Sequence, residues 1–141
     1  MDTVRILVID DEKVIREGVE RALVKSGYEI TKAEDGNRGL ELLKENNYDI
    51  VLTDLMMPGL DGFAVLDWIQ ENQPHIQVIV ITGFATVTKA VSAMKQGAFD
   101  FVGKPFTPDY IRLVVGRAID KLTMRAETER LIKEKNMGLE A

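Results

Sequence analysis

The sequence predicts an open α/β sheet of five parallel strands with helices on both faces, a (βα)5 chain. Three observations carry that prediction. Short apolar runs alternate with segments of helical periodicity five times over. Three of the runs are nearly continuous hydrophobic stretches, the pattern of strands covered on both faces. Covered parallel strands joined by right-handed crossovers wind into three layers.

The expected strands, in order, are VRILVI (4–9), YEITKA (28–33), DIVLTD (49–54), QVIVIT (77–82) and FDFVG (99–103). Between the first two, Val14, Ile15, Val19, Ala22 and Leu23 recur at helical spacing, and Gly27 follows as a C-terminal stop. Leu40 and Leu43 mark the second helix. Asp61 caps a third, which carries Val65, Leu66 and Ile69. Val87, Ala90, Val91 and Met94 mark a fourth, closed by Gly97. Thr107-Pro108 is a cap followed by proline at the first helical position, and opens the fifth. Five strands suit the flavodoxin-like order 2-1-3-4-5, in which ligands lie beyond the carboxyl ends of the strands where the order reverses, between strands 1 and 3.

The chain has 141 residues, enough for one domain with a real core. Its net charge of −5 argues against a grip on nucleic acid through its own surface, which needs clustered positive charge. The absence of cysteine excludes disulfides, thiolate metal sites and thiol nucleophiles. With no signal-peptide region and no apolar run near 18 residues, a cytoplasmic protein without membrane attachment is expected.

The chemistry hangs off the strand ends. Strand 1 gives Asp10 and Asp11, with Glu12 next in sequence; strand 3 gives Asp54, strand 4 Thr82, and strand 5 leads into Lys104. Adjacent side chains on a strand point to opposite faces, so the doublet Asp10-Asp11 suggests a backbone already turning, with both carboxylates overhanging the sheet edge. Carboxylates gathered in one pocket repel, by roughly 4 kcal/mol per pair at 4 Å and an effective dielectric near 20. A divalent cation removes that cost, and oxygen-only ligands suit Mg²⁺ or Mn²⁺ better than zinc. Lys104 adds a positive charge and Thr82 a hydroxyl donor. Such a site is arranged to hold a phosphoryl group, and a carboxylate at its centre can be the nucleophile, giving an aspartyl phosphate.

Residues 4 to about 122 resemble the receiver domain of bacterial two-component response regulators. The resemblance rests on Asp10-Asp11, YDIVLTDLMMPGLDGF (48–63), VITG (80–83) and GAFDFVGKPF (97–106), in this order on these strand ends. It implies that Asp54 accepts a phosphoryl group from a sensor histidine kinase. It also implies a metal held by Asp11, Asp54 and the backbone carbonyl of Met56, with Asp10 acting largely through water. Thr82 and Lys104 would contact the phosphoryl oxygens, and the Lys104–Pro105 bond would be cis. Such a domain catalyses only its own phosphorylation and dephosphorylation. Its signal would leave through Thr82, which moves toward the phosphoryl group, and through Phe101, which fills the vacated space. The surface of the fourth helix, fifth strand and fifth helix would then differ between two states.

Two positions depart from the commoner family pattern. Met56 and Phe84, each two residues beyond a site residue, are large and apolar where the family has polar residues that help water reach the phosphoryl group. Gly103 before Lys104 is a less usual choice too, one that loosens the turn. Taken singly, several residues have plainer readings: Asp10 and Asp11 as favourable charge before a helix, Thr82 as a β-branched strand residue, and Phe101 as a core aromatic. His75, beside Pro74 in a polar loop, is read as a surface residue with no phosphate-carrying role.

Two other classes fit less well. A haloacid-dehalogenase-type phosphatase places its two aspartates one residue apart, not adjacent. A flavin-binding flavodoxin needs a first loop that welcomes phosphate, and an acidic loop repels it. The fifth helix is expected to run from Asp109 to about Lys135, ~40 Å at 1.5 Å per residue, against a sheet only ~17–20 Å deep. Residues 1–122 are thus read as a receiver domain, and 123–141 as an extension of the last helix that links or dimerises. GAFDFVGKPF and the long helix look most like receivers of sigma-54-dependent transcriptional regulators, so an output domain in a longer chain is expected. A free-standing regulator is the alternative.

Overall fold

The computed structural model describes residues 3–83 and 87–140. Its elements alternate from β1 (Arg5–Ile9) and α1 (Lys13–Leu23) through β2 (Glu29–Ala33), α2 (Gly36–Glu45), β3 (Ile50–Asp54) and α3 (Gly62–Asn72) to β4 (Gln77–Thr82), α4 (Val87–Lys95), β5 (Asp100–Gly103) and α5 (Pro108–Glu140). The sheet is parallel throughout, in the order β2-β1-β3-β4-β5. That is the flavodoxin-like arrangement expected from the sequence. Among the described residues, no helix is long and apolar enough to cross a membrane.

Strand alternation divides the core into two layers. Leu7, Ile9, Val51, Val78 and Val80 pack under α2, α3 and α4, against Leu43, Val65, Ile69 and Ala93. Ile6, Val8, Ile50, Leu52, Ile81 and Val102 pack against α1 and α5, on Val19, Leu23, Ile111 and Val115. Each face is dry, which accounts for the unbroken hydrophobicity of β3 and β4.

Helix ends follow local chemistry. Asp35 and Asp61 cap α2 and α3, accepting from the N–H groups of Arg38 and Ala64. Thr107 Oγ1 accepts from the Tyr110 N–H, as expected of the residue before Pro108. After α1 the chain makes one further 3-10 turn, Val24–Ser26, before Gly27 reverses it at φ +80°.

Three apolar residues expected on helix packing faces lie outside them. Val14 is 68% exposed, Val91 about half and Met94 about a third. Val14 precedes the Ile15–Val19–Ala22 stripe by one residue, a rotation of about 100° at 3.6 residues per turn. In α4 the buried contacts are made by Ala90 and Ala93, so a narrow face suffices and its larger neighbours point outward. The fifth helix is longer than expected. Leu122 is the last side chain packed against the core cluster, and residues 123–135 are exposed.

Candidate functional site

The switch point between β1 and β3 gathers the charged residues. By two-residue alternation, Asp10 continues the face of Ile6 and Val8, Asp54 that of Ile50 and Leu52, and Lys104 that of Val102. All three therefore arrive on the α1/α5 side of the sheet edge. Thr82 is in step with Val78 and Val80, on the other side.

The doublet at the end of β1 is split. Asp10 is fully buried and Asp11 is exposed, so the two do not overhang the edge as equals. Asp10 stays in line because its N–H still pairs with the Ala33 carbonyl, at 3.2 Å. Its Oδ1 accepts from the Glu12 N–H at 2.9 Å, while its carbonyl accepts from Arg16 at 2.8 Å. Oδ2 is buried and receives no well-aligned hydrogen bond among the described residues. The charge nearest to it is the Lys104 ammonium, 3.2 Å away.

Asp54 ends β3 and is nearly buried. Its Oδ1 accepts from the Met56 N–H at 3.1 Å, and its Oδ2 from Lys104 Nζ at 3.1 Å. Lys104 is aimed by its own backbone. Its N–H donates to the Thr82 carbonyl at 2.7 Å, and the following bond to Pro105 is cis, as the resemblance implied. Helix α3 buttresses the same corner. The Gly62 N–H donates to the Leu55 carbonyl at 3.1 Å, and a Cβ at Gly62 would lie 2.2 Å from the Asp54 carbonyl oxygen. Only glycine allows this approach.

The electrostatics are unequal. Burial, with the Asp54 charge adding to it, pushes the Asp10 carboxyl up to about 6, against the opposing pull of the Glu12 N–H and Lys104. Burial works against the Lys104 ammonium too, but the hydrogen bond to Asp54 and the charges of Asp10 and Asp54 outweigh it and hold its pKa above the ordinary lysine value.

One participant was missed as a site residue in the sequence. Glu12 Oε1 lies 3.1 Å from Lys104 Nζ, and Asp10, Asp11, Glu12 and Asp54 can each place an oxygen within 4.8 Å of the others. The third acid of the run after β1 was the available signal. This oxygen-only donor set fits a hard divalent cation. Met56 adjoins Asp54 through its N–H, and its side chain is 47% exposed, with Lys89 Nζ 3.1 Å from the sulfur. Phe84, the other apolar departure, lies outside the described residues.

Thr82 is buried and pairs with Gly103 across β4 and β5, and Phe101 pairs with Val80. Phe101 is therefore on the same face as Thr82, one step along the neighbouring strand, and 38% exposed. Gly103 has open space where a Cβ would be. His75 is exposed and far in sequence and topology from the switch point.

Comparison with known proteins gives a consistent picture. Residues 6–115 match the response regulator receiver domain family. The chain is 42% identical over 112 residues to the DNA-binding transcriptional regulator NtrC of Klebsiella pneumoniae, covering 79% of this chain and 24% of that protein. It is 37% identical over 127 residues to the regulatory protein AtoC of Escherichia coli, covering 90% of this chain and 28% of that one. The chain thus spans about a quarter of the length of these relatives. Among solved structures, NtrX from Brucella abortus superposes with a TM-score of 0.87 at 36% identity, over 92% of this chain and 29% of that one. A receiver domain protein from Clostridium thermocellum superposes with a TM-score of 0.81 at 36% identity, over 86% of this chain and 98% of that one.

Proposed function

The chain belongs to the response regulator receiver domain family, and from that membership we propose that Asp54 is its phosphoacceptor and that the domain relays a sensor histidine kinase's signal. The observation that carries this reading is the clamp on Asp54: a carboxylate at the end of β3 with one oxygen on a backbone N–H and the other on Lys104 Nζ at 3.1 Å.

A carboxylate oxygen of Asp54 attacks the phosphorus of a phosphohistidine. A P–O bond forms as the P–N bond breaks, and the departing imidazole takes up a proton. Lys104 stays beside the new phosphoryl oxygens and balances their charge, and the Thr82 hydroxyl donates to one of them. Asp10, Asp11 and Asp54, with the Met56 carbonyl, would hold Mg²⁺ or Mn²⁺, which when bound neutralises the carboxylates and polarises the phosphoryl group. On this reading the domain catalyses only its own phosphorylation and dephosphorylation.

Phe101 and Thr82 share a face of β4 and β5, which supports a switch in which Thr82 shifts toward the phosphoryl group and Phe101 turns inward. The altered surface of α4, β5 and α5 is the output. Similarity to proteins named as transcriptional regulators supports an output in transcription, delivered through a further domain of a sigma-54-dependent regulator in the cytoplasm. The net charge of −5 argues against a grip on DNA by the domain's own surface.

The test is direct. Acetyl phosphate with Mg²⁺ should label the protein once, and peptide mass spectrometry should place the label on Asp54. Equal labelling of an Asp54→Asn variant would overturn the assignment.

A further inference from the structure

Glu12 occupies the cap position before α1 but does not cap it. Its backbone is extended, at φ −97° and ψ 117°, as a cap residue's should be, yet its side chain makes no bond to the helix. The carboxylate reaches the other way. Oε1 accepts from Lys104 Nζ at 3.1 Å, across 92 positions of sequence. Lys104 has three ammonium donors, and three carboxylates surround it: Asp10 at 3.2 Å, Glu12 at 3.1 Å and Asp54 at 3.1 Å. Two of these are walls of the site, with side chains 0% and 7% exposed, whereas that of Glu12 is 57% exposed. An exposed pair of this kind adds little to fold stability. Its consequence is for the lysine, one of whose donors is taken by a group that can leave.

We infer that Glu12 is an electrostatic latch on Lys104. In the unmodified domain its carboxylate holds the ammonium donor that a phosphoryl oxygen takes when Asp54 is modified. Modification then ejects it toward the uncapped N–H groups at the start of α1. The inference rests on Asp54 as phosphoacceptor. The physical reason for ejection is that a phosphoryl group brings close to two negative charges beside Lys104, which both outcompete the glutamate for the donor and repel it. A free carboxylate has a favourable alternative at the positive end of α1, which Glu12 immediately precedes. The latch therefore ties the occupancy of the site to the first turn of α1, and it sets a threshold that a phosphoryl group must exceed.

The full chain with Glu12→Gln, which keeps the shape and removes the charge, tests this against wild type. With saturating Mg²⁺, affinity for the phosphoryl mimic beryllofluoride should rise about two- to fivefold, the range open to a half-exposed ion pair. The gain should shrink in 1 M salt, where screening acts over about 3 Å. In metal-free protein, acylation of Lys104 by an acetylating ester, read by mass spectrometry, should be faster in the variant. Parallel loss of Mg²⁺ and beryllofluoride affinity would overturn the latch and make Glu12 a cation ligand. Unchanged beryllofluoride affinity together with unchanged Lys104 acylation would overturn it as well. If wild type binds no beryllofluoride, the phosphoacceptor reading fails and the latch with it, while faster acylation in the variant then shows only that Glu12 shields Lys104.

Discussion

Lys104 Nζ lies 3.1 Å from Asp54 Oδ2, although 50 residues separate the two in sequence. The same ammonium serves Asp10 at 3.2 Å, so a single cation compensates two buried carboxylates. Lysine is thus a structural counter-ion as long as no metal shares the task. Replacing Lys104 with Met leaves both carboxylates uncompensated, and loss of one partner of a buried pair costs about 3–5 kcal/mol. Because Glu12 and solvent lie close by, the lower end is expected, about 3 kcal/mol in urea unfolding of the metal-free protein. Mg²⁺ should restore most of that loss in Lys104→Met and stabilise wild type less. Equal stabilisation of both proteins would show that cation and lysine do not compete for the same carboxylates.

Asp10 carries the cost of the pocket. Its carboxyl is held at about 6 rather than 3.8, so the native state binds its proton more readily than the unfolded chain. The stability this contributes is fully present below pH ~4 and is lost as pH rises through ~6. Metal-free protein should therefore gain stability on acidification from pH 7 to 5, by roughly 1 kcal/mol of the ~3 kcal/mol that the whole shift represents. Asp10→Asn should remove that dependence and stabilise the metal-free protein at pH 7 by about 1–2 kcal/mol, since Lys104 keeps Asp54 and Glu12. For a domain of this size that is a rise in Tm of several degrees. Exposed Asp11 has no such burial, so Asp11→Asn should move Tm little. Identical pH profiles for wild type and Asp10→Asn would refute the assignment of strain to Asp10.

What the sequence disclosed and what it hid divide along physical lines. Strand order, the five helices and the meeting of Asp10, Asp54 and Lys104 were legible because periodicity and strand ends place them; Thr82 ends its strand beside them but on the opposite face. The split between Asp10 and Asp11 was not, since it depends on Asp10 N–H still pairing with Ala33 across the sheet. Nor was the partner of Glu12, because a contact across 92 positions leaves no local pattern. Val91 and Met94 misled for another reason: alanine contacts at 90 and 93 satisfy α4, and hydrophobicity alone does not tell an inward from an outward residue.

Gly62 links fold and site. A methyl group there would lie 2.2 Å from the Asp54 carbonyl oxygen and 2.8 Å from Leu55 Cα, both backbone atoms that yield only if β3 or α3 moves. Gly62→Ala should destabilise the domain by about 1–3 kcal/mol, the usual cost of overpacking. It should also slow labelling by acetyl phosphate more than tenfold, because the shift displaces the reacting carboxylate. Normal labelling in a folded Gly62→Ala protein would mean that Asp54 is positioned by β3 alone.

Met56 is expected to limit access of water to the site. Its thioether stands half-exposed beside the Asp54 clamp, with Lys89 against the sulfur, and it offers water no strong acceptor. Met56→Asn should shorten the lifetime of the aspartyl phosphate, by about tenfold if ~1.4 kcal/mol of barrier is removed. Affinity for Mg²⁺ should hold, because the carboxylates are untouched. Release of inorganic phosphate from labelled protein measures the lifetime, and an unaltered rate would leave Met56 without a part in gating.

The exposed length of α5 sets the last expectation. Met124, Leu131 and Ile132 are 70%, 51% and 55% exposed on a helix that has left the core, and Tyr110, Leu113 and Phe101 add further exposed apolar surface near its start. The overhang does have internal support. Arg125 pairs with Glu129, and Arg130 with both Glu127 and Glu134, spacings that each add about 0.2–0.5 kcal/mol to an isolated helix. Those pairs support the segment's helicity but cover little apolar area, which leaves Leu131 and Ile132 as the expected surface for a partner. The intact chain should sediment as a dimer at tens of micromolar, a chain ending at Leu122 should dissociate more readily, and beryllofluoride should shift both equilibria through the α4, β5 and α5 surface. If intact and shortened chains remain monomers with and without beryllofluoride, the ion pairs alone sustain the overhang and α5 is a connecting rod.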